Sequence, residues 1–221
     1  MPSSLRAAVF PVTPFQQNTA LIWCDAEKKA AFVDPGGEVP RLKAALAEAQ
    51  RKEGVTLEKI LLTHGHLDHA GAAAELAADF GVPVEGPHRD EKWLLDSLGE
   101  DSAKYGLEGR PVTPDRWLSD GDQVTLGAVI FDVVHCPGHT PGHVVFVDKV
   151  GRFAFVGDVL FQGSIGRTDF PRGNHAQLVS AIRDKLFPLG DDIRFLPGHG
   201  PISGFGRERR FNPFVSDDAV S

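Results

Sequence analysis

Alternating and helix-spaced apolar positions divide the chain into a regular succession of elements. Leu5 to Phe10 and Thr19 to Cys24 read as strands separated by Pro14-Phe15-Gln16-Gln17-Asn18, and Ala30 to Val33 ends at the turn-forming Asp34-Pro35-Gly36-Gly37. Val39 to Lys52 places Val39, Leu42, Ala45, Leu46 and Ala49 on one helical face before Gly54 stops it. A strand from Lys59 to Leu62, an Ala-rich helix from Ala70 to Phe80 and a short strand at Gly81-Val82-Pro83-Val84 follow. This β-α-β-α-β alternation predicts a layered α/β architecture. Pro87 to Pro114 is the least regular stretch. Trp93, Leu94 and Leu98 mark one helical segment, Tyr105-Gly106-Leu107 suggests a loop, and the whole reads either as surface packing or as a lid.

The second half returns to strands. Ser119-Asp120-Gly121-Asp122 is a tight turn, and Gln123 to Leu126 with Val129 to His135 form a hairpin around Gly127. His143 to Val147 and Phe153 to Val156 are a further pair. Ala176 to Leu186 has helical spacing through Leu178, Val179, Ile182 and Leu186, Ile193 to Leu196 is the last strand, and Arg207 to Ser221 reads as a polar tail. With no second core, linker or repeat, residues 1–221 are expected to form one domain.

Composition removes several function classes. A net charge of −7 speaks against a nucleic-acid-binding surface, although it leaves room for a local positive pocket. Cys24 and Cys136 are too few and too far apart to form a disulfide framework. The first residues lack a basic start followed by a long apolar run, and no apolar run reaches membrane-spanning length. The expectation is a soluble cytoplasmic protein.

The chemistry concentrates in Thr63-His64-Gly65-His66-Leu67-Asp68-His69, where three imidazoles and a carboxylate follow an apolar strand and open a helix. Imidazole and carboxylate are the ligands that first-row divalent metals prefer, and a strand end aims them into one crevice. Three later segments share the same local form: Cys136-Pro137-Gly138-His139, Val156-Gly157-Asp158 and Leu196-Pro197-Gly198-His199. Each follows an apolar run and frames a metal-binding side chain with Gly or Pro. Asp34, also at a strand end, is either a turn former or a carboxylate that orients a ligand histidine.

From about Val9 to Arg210 the chain resembles the metallo-β-lactamase superfamily, on its His-x-His-x-Asp-His loop followed in order by His139, Asp158 and His199. The resemblance implies an αβ/βα sandwich, two mixed β-sheets face to face with helices outside. Cys136-Pro137-Gly138-His139-Thr140-Pro141-Gly142-His143 and Gly157-Asp158-Val159-Leu160-Phe161 look most like the glyoxalase II group, the hydroxyacylglutathione hydrolases. That likeness implies one divalent metal on His64, His66 and His139, another on Asp68, His69 and His199, and Asp158 as the bridge. Zinc is expected, with iron or manganese also suited to such ligands. The C-terminal helical domain with which longer relatives hold glutathione is not expected.

The implied reaction is hydrolysis of S-D-lactoylglutathione, or a related acyl-glutathione, to the acid and glutathione by a hydroxide shared between the metals, with Asp68 both a ligand and an orienter of that hydroxide. Arg167 is the candidate for a glutathione carboxylate, Asp169 for an ammonium group or for fixing Arg167, and Arg172 is a further substrate-binding candidate. Gly166-Arg167-Thr168-Asp169-Phe170 also resembles the persulfide dioxygenases, which gives the alternative of a mononuclear Fe(II) enzyme acting on glutathione persulfide. Cys136 reads as a small buried residue, His135 and His143 as supports, and His88 and His175 as surface or capping residues.

Overall fold

Period-2 alternation builds two sheets that share one core. In the computed structural model, which describes residues 5–219, the first sheet runs in the order β1 (Leu5–Val12), β2 (Gln17–Cys24), β3 (Lys29–Val33), β4 (Thr56–Leu61) and β5 (Val84–Glu85). The first three strands are antiparallel, and β3, β4 and β5 are parallel. Their crossovers carry α1 (Val39–Glu53), then α2 (Leu67–Ala70) and α3 (Ala73–Phe80). An insertion follows, with a 3-10 turn at Arg89–Glu91 and α4 (Lys92–Tyr105).

The second sheet uses β6 (Gln123–Leu126), β7 (Val129–His135), β8 (Val144–Asp148), β9 (Phe153–Gly157), β12 (Arg194–Pro197) and β13 (Ser203–Gly204), ordered β13-β12-β9-β8-β7-β6. Only β9 and β12 are parallel, so this sheet is also mixed. A separate hairpin, β10 (Leu160–Phe161) and β11 (Ser164–Ile165), leaves the end of β9. α5 (His175–Ser180) continues into a π-helical turn at Ala181–Leu186, and α6 (Phe205–Phe211) closes the chain.

Alternation sorts the side chains into three layers. Ala20, Ile22 and Cys24 of β2, Ala31 and Val33 of β3, Val129, Phe131 and Val133 of β7, and Val144 and Phe146 of β8 meet between the sheets. Their strand neighbours point outward: Leu21, Ala30 and Phe32 pack with Leu42 and Leu46 of α1, whereas Val145, Val147, Ala154 and Val156 pack with Leu178, Ile182 and Phe205. Each large apolar side chain fully removed from water contributes about 1.5–3 kcal/mol. A one-residue slip would exchange both faces of a strand at once, so this burial fixes the register.

The elements depart from the sequence reading at the β10–β11 hairpin and β13, which it did not expect, and in three further places. The helix expected over 70–80 is divided, because His69 must turn into the site before Gly71-Ala72 lets α3 begin. The insertion is mostly helix, and Gly106 is its left-handed C-cap. Arg207 to Ala219 is not a free tail: α6 runs into it from Phe205, and Asn212 and Val215 are fully buried. Asn212 Nδ2 donates to the carbonyls of Phe161 and Ser164, which ties the chain end to the β10–β11 hairpin. Its run of arginines hid a short apolar stripe. Val220 and Ser221 lie outside the described residues.

Candidate metal centre

The ends of β4, β7, β9 and β12 deliver the seven candidate ligands to one edge of the sandwich. His64 and His66 follow β4, Asp68 and His69 sit on α2, and His139, Asp158 and His199 stand in the turns after β7, β9 and β12. Two glycines make the approach possible. Gly157 turns with φ +49, and Gly198 lies so close that a Cβ there would be 2.1 Å from Asp158 Oδ1 and 2.6 Å from His69 Cε1.

The candidate ligand atoms gather into His64/His66/His139 and Asp68/His69/His199, and a third cluster, Asp34/His64/His69, shares one imidazole with each. In the first, His66 Nδ1 lies 3.0 Å from both His64 Nε2 and His139 Nε2. In the second, Asp68 Oδ2 is 3.3 Å from His199 Nε2 and 4.0 Å from His69 Nε2. Asp158 stands between them, with Oδ1 3.3 Å from His69 Nε2 and Oδ2 3.6 Å from both His139 Nε2 and His199 Nε2. Ligand atoms about 2.1 Å from a tetrahedral ion lie roughly 3.4 Å apart, which is the spacing seen here.

Outward hydrogen bonds set the tautomers. His139 Nδ1 donates to the Arg167 carbonyl at 2.7 Å, His199 Nδ1 to the Phe15 carbonyl at 3.0 Å, and His69 Nδ1 to Asp34 Oδ2 at 3.0 Å. Carbonyls and carboxylates only accept, so each Nδ1 carries hydrogen and each Nε2 can offer a lone pair inward. Asp34, left open by the sequence, is therefore an orienting carboxylate. It also accepts from Thr63 N and Thr63 Oγ1. His69 Nε2 and Asp158 Oδ1 are buried without a hydrogen-bond partner, a costly arrangement for a protein alone and the expected one for atoms that grip a cation.

The electrostatics agree. Burial drives His64 and His139 below the usual imidazole value and His66 to about 3, with neighbouring imidazoles adding to the effect, so these rings are neutral, as ligands must be. His69 is raised although burial opposes it, because Asp158 and Asp68 attract its proton. His199 is likewise raised against burial by Asp68 and Asp158. Asp158 is held far below the carboxylate range against its own burial by His69, His139 and His199. The carboxylates thus require positive charge here, and divalent ions suited to His and Asp ligands would displace the protons that supply it.

The pocket above these groups has a volume of about 850 Å³. His66, Asp68, His139, Asp158 and His199 form its floor, and Phe15, Trp93, Tyr105, Phe161 and Phe170 much of its wall. Trp93 and Tyr105 come from α4, so the insertion shapes the cleft instead of merely covering the surface. Arg167 also lines it, with its guanidinium 4.2 Å from the Phe170 ring and paired to Asp169 through bonds of 2.7 and 2.6 Å. Asp169 fixes Arg167, and Arg172 stacks 4.7 Å over Trp93; neither of these two residues is part of the lining.

His143 is fully buried, stacks on His64 at 4.6 Å and accepts the Asp158 backbone N–H at 3.1 Å. His88 caps the 3-10 turn by accepting from Asp90 N, and Cys136 is buried with its thiol pushed up to about 12. The sequence reading missed Glu91, which accepts from Gly65 N at 2.9 Å and Gly142 N at 2.6 Å. Burial raises its carboxyl to about 7. No linear motif marks it. The aromatic wall gave no signal either, since its members are scattered from Phe15 to Phe170.

Comparison with known proteins adds an independent line. A model described as the metallo-beta-lactamase superfamily matches residues 12–199. The chain is 49% identical over 214 residues to hydroxyacylglutathione hydrolase GloC of Haemophilus influenzae, covering 96% of this chain and 99% of that protein. Among solved structures, BLEG-1 B3 metallo-beta-lactamase superposes with TM-score 0.84 at 36% identity, covering 95% of this chain and 99% of its own. TTHA1623, solved in a di-iron-bound form, superposes with TM-score 0.82 at 35% identity, covering 94% of this chain and all of that one.

Proposed function

Because the chain belongs to the metallo-beta-lactamase superfamily and shares half its residues with GloC, we propose that it is a metal-dependent thioester hydrolase acting on S-D-lactoylglutathione or a related acyl-glutathione. Water adds to the acyl carbon, the C–S bond breaks, and the acid and free glutathione leave. The observation that carries this reading is the position of Asp158 between two ligand groups on the floor of a large, aromatic-walled cleft.

His64, His66 and His139 would hold one divalent ion and Asp68, His69 and His199 the other, with Asp158 shared. Bound there, such ions would lower the pKa of a coordinated water to about 7 and would supply positive charge for a developing oxyanion. Asp68 lines the cleft and would orient that water. The di-iron form of TTHA1623 supports two ions, and zinc, iron and manganese all suit this donor set. Arg167 would grip a substrate carboxylate from the rim, and the aromatic wall would pack along the peptide-like body of glutathione. A thiolate departs without a strong general acid, and the reading needs none.

Cys24 and Cys136 are free and buried, which suits the reducing cytoplasm in which we place the reaction. Among the described residues no helix is long and apolar enough to cross a membrane. Thiol release from S-D-lactoylglutathione by metal-loaded protein tests the reading, with Asp158→Ala as control. Rapid release that the variant abolishes is expected. Oxygen uptake with glutathione persulfide and one iron per chain, without thiol release, would overturn it in favour of the dioxygenase alternative that the Gly166-to-Phe170 segment suggests.

A further inference from the structure

Glu91 is an anomaly that thioester hydrolysis does not use. It is fully buried, lies outside the reacting groups, and sends its two carboxylate oxygens to backbone N–H groups instead of to a cation. An apolar residue of similar volume would fill such a place at lower desolvation cost. What distinguishes the site is the identity of the two donors. Gly65 N lies between His64 and His66, and Gly142 N lies in the same inter-strand loop as His139. The fit is close on both sides. A Cβ at Gly142 would stand 2.8 Å from Glu91 Cγ, and one at Gly65 would stand 3.3 Å from Glu91 Oε2. His88 N also donates to Gly142 O at 3.1 Å, so the start of the insertion is joined to the His139 loop beside the carboxylate.

The second ligand group is braced by other parts of the chain. Asp34 holds His69, and the Phe15 carbonyl holds His199. Glu91 touches neither. We propose that Glu91 is a positioning residue for the His64/His66/His139 site alone, a carboxylate clamp that sets the distance between the two loops which supply its imidazoles. The inference rests on the dinuclear reading above.

The test is a Zn(II) titration against a competing chelator, with metal content counted after desalting, on the wild type, Glu91→Gln and Leu98→Ala. The amide in Glu91→Gln keeps the shape but retains one acceptor and turns an N–H toward a backbone N–H. Leu98 is buried in α4 and supplies none of the atoms nearest to a Cβ at either glycine, so Leu98→Ala loosens the insertion while keeping the Glu91 carboxylate. We expect two ions per wild-type chain and two in Leu98→Ala. In folded Glu91→Gln, one ion stays tight and the other weakens about 10- to 100-fold, the range for removing a partner that orients ligands. Adding Glu91→Gln to His199→Ala should strip the remaining ion, and adding it to His139→Ala should not. Two tight ions in Glu91→Gln, or the same loss in Leu98→Ala, would overturn the inference alone. Fewer than two in the wild type would overturn the dinuclear reading and the inference with it.

Discussion

Asp34→Asn isolates one proton position on His69. The carboxylate lies at φ +48 on the end of β3 and accepts from Thr63 N at 2.7 Å, Thr63 Oγ1 at 2.6 Å and His69 Nδ1 at 3.0 Å. Asparagine tolerates the same backbone and can still accept from Thr63 N through Oδ1. Its amide, however, would face His69 Nδ1 as a donor, so the ring must carry its hydrogen on Nε2, the atom aimed at Asp158 and the second ligand group. A protonated Nε2 cannot ligate. The expected cost is about 10- to 100-fold in affinity for one ion, or about 1.4–2.7 kcal/mol. Metal-free Asp34→Asn should melt below the wild type but above Asp34→Ala, because Thr63 N stays paired while protonated His69 loses its carboxylate acceptor. Asp34→Ala should lose about 3–5 kcal/mol, since buried donors are left without acceptors and alanine resists the left-handed backbone. Chelator-competition titration and thermal melts of the metal-free proteins measure both effects. Wild-type affinity for both ions in Asp34→Asn would refute the tautomer argument, and so would a melt as low as that of Asp34→Ala.

Gly198→Ala should fold yet lose at least about 100-fold in kcat/KM, because its methyl would occupy the space of Asp158 Oδ1 and His69 Cε1; steady-state kinetics with metal content would show it. Arg167→Ala should raise KM for a glutathione thioester about tenfold with kcat kept, since it removes a grip on the substrate and leaves the backbone carbonyl that holds His139; a KM change of the same size with a thioester lacking the peptide would contradict this. Glu91 also predicts a pH effect in the metal-free protein. Its carboxyl is raised from an ordinary 4.5 to about 7, so the folded state keeps a proton that the unfolded chain releases, and the contribution of Glu91 to stability falls as pH rises between those values. The loss approaches about 3 kcal/mol and should vanish in Glu91→Gln; urea unfolding at pH 5 and pH 8 would reveal it.

The ligand segments could be read from the sequence because the chemistry imposes local form: an apolar strand, a tight turn and a coordinating side chain at its end. His64, His66, Asp68 and His69 fall within six residues, and the turns before His139, Asp158 and His199 repeat the pattern. The strands were readable for the same reason, since alternation in β2, β3, β7 and β8 is itself what divides the layers. What holds the ligands in place is of another kind. Glu91 reaches glycines 26 and 51 residues away, Arg167 O reaches His139 across 28, and Phe15 O reaches His199 across 184. Most of these bonds involve backbone atoms, which every residue carries, so side-chain identity announces none of them. Asp34 alone gave a hint, as a strand-end carboxylate that could either form a turn or orient a ligand histidine.

The same distinction explains why α4 was underestimated. Its Trp93, Leu94 and Leu98 mark a helix, but nothing in that spacing says that Trp93 and Tyr105 face a cleft while Leu98 faces a core. That division depends on how the insertion is seated, and Glu91 immediately precedes the helix that it seats. The same clamp is therefore placed between the wall that a substrate would meet and the loops that bear three of the imidazoles. If Glu91 acts on both, Glu91→Gln must change KM as well as metal affinity. If it acts on the loops alone, saturating metal must restore the wild-type KM.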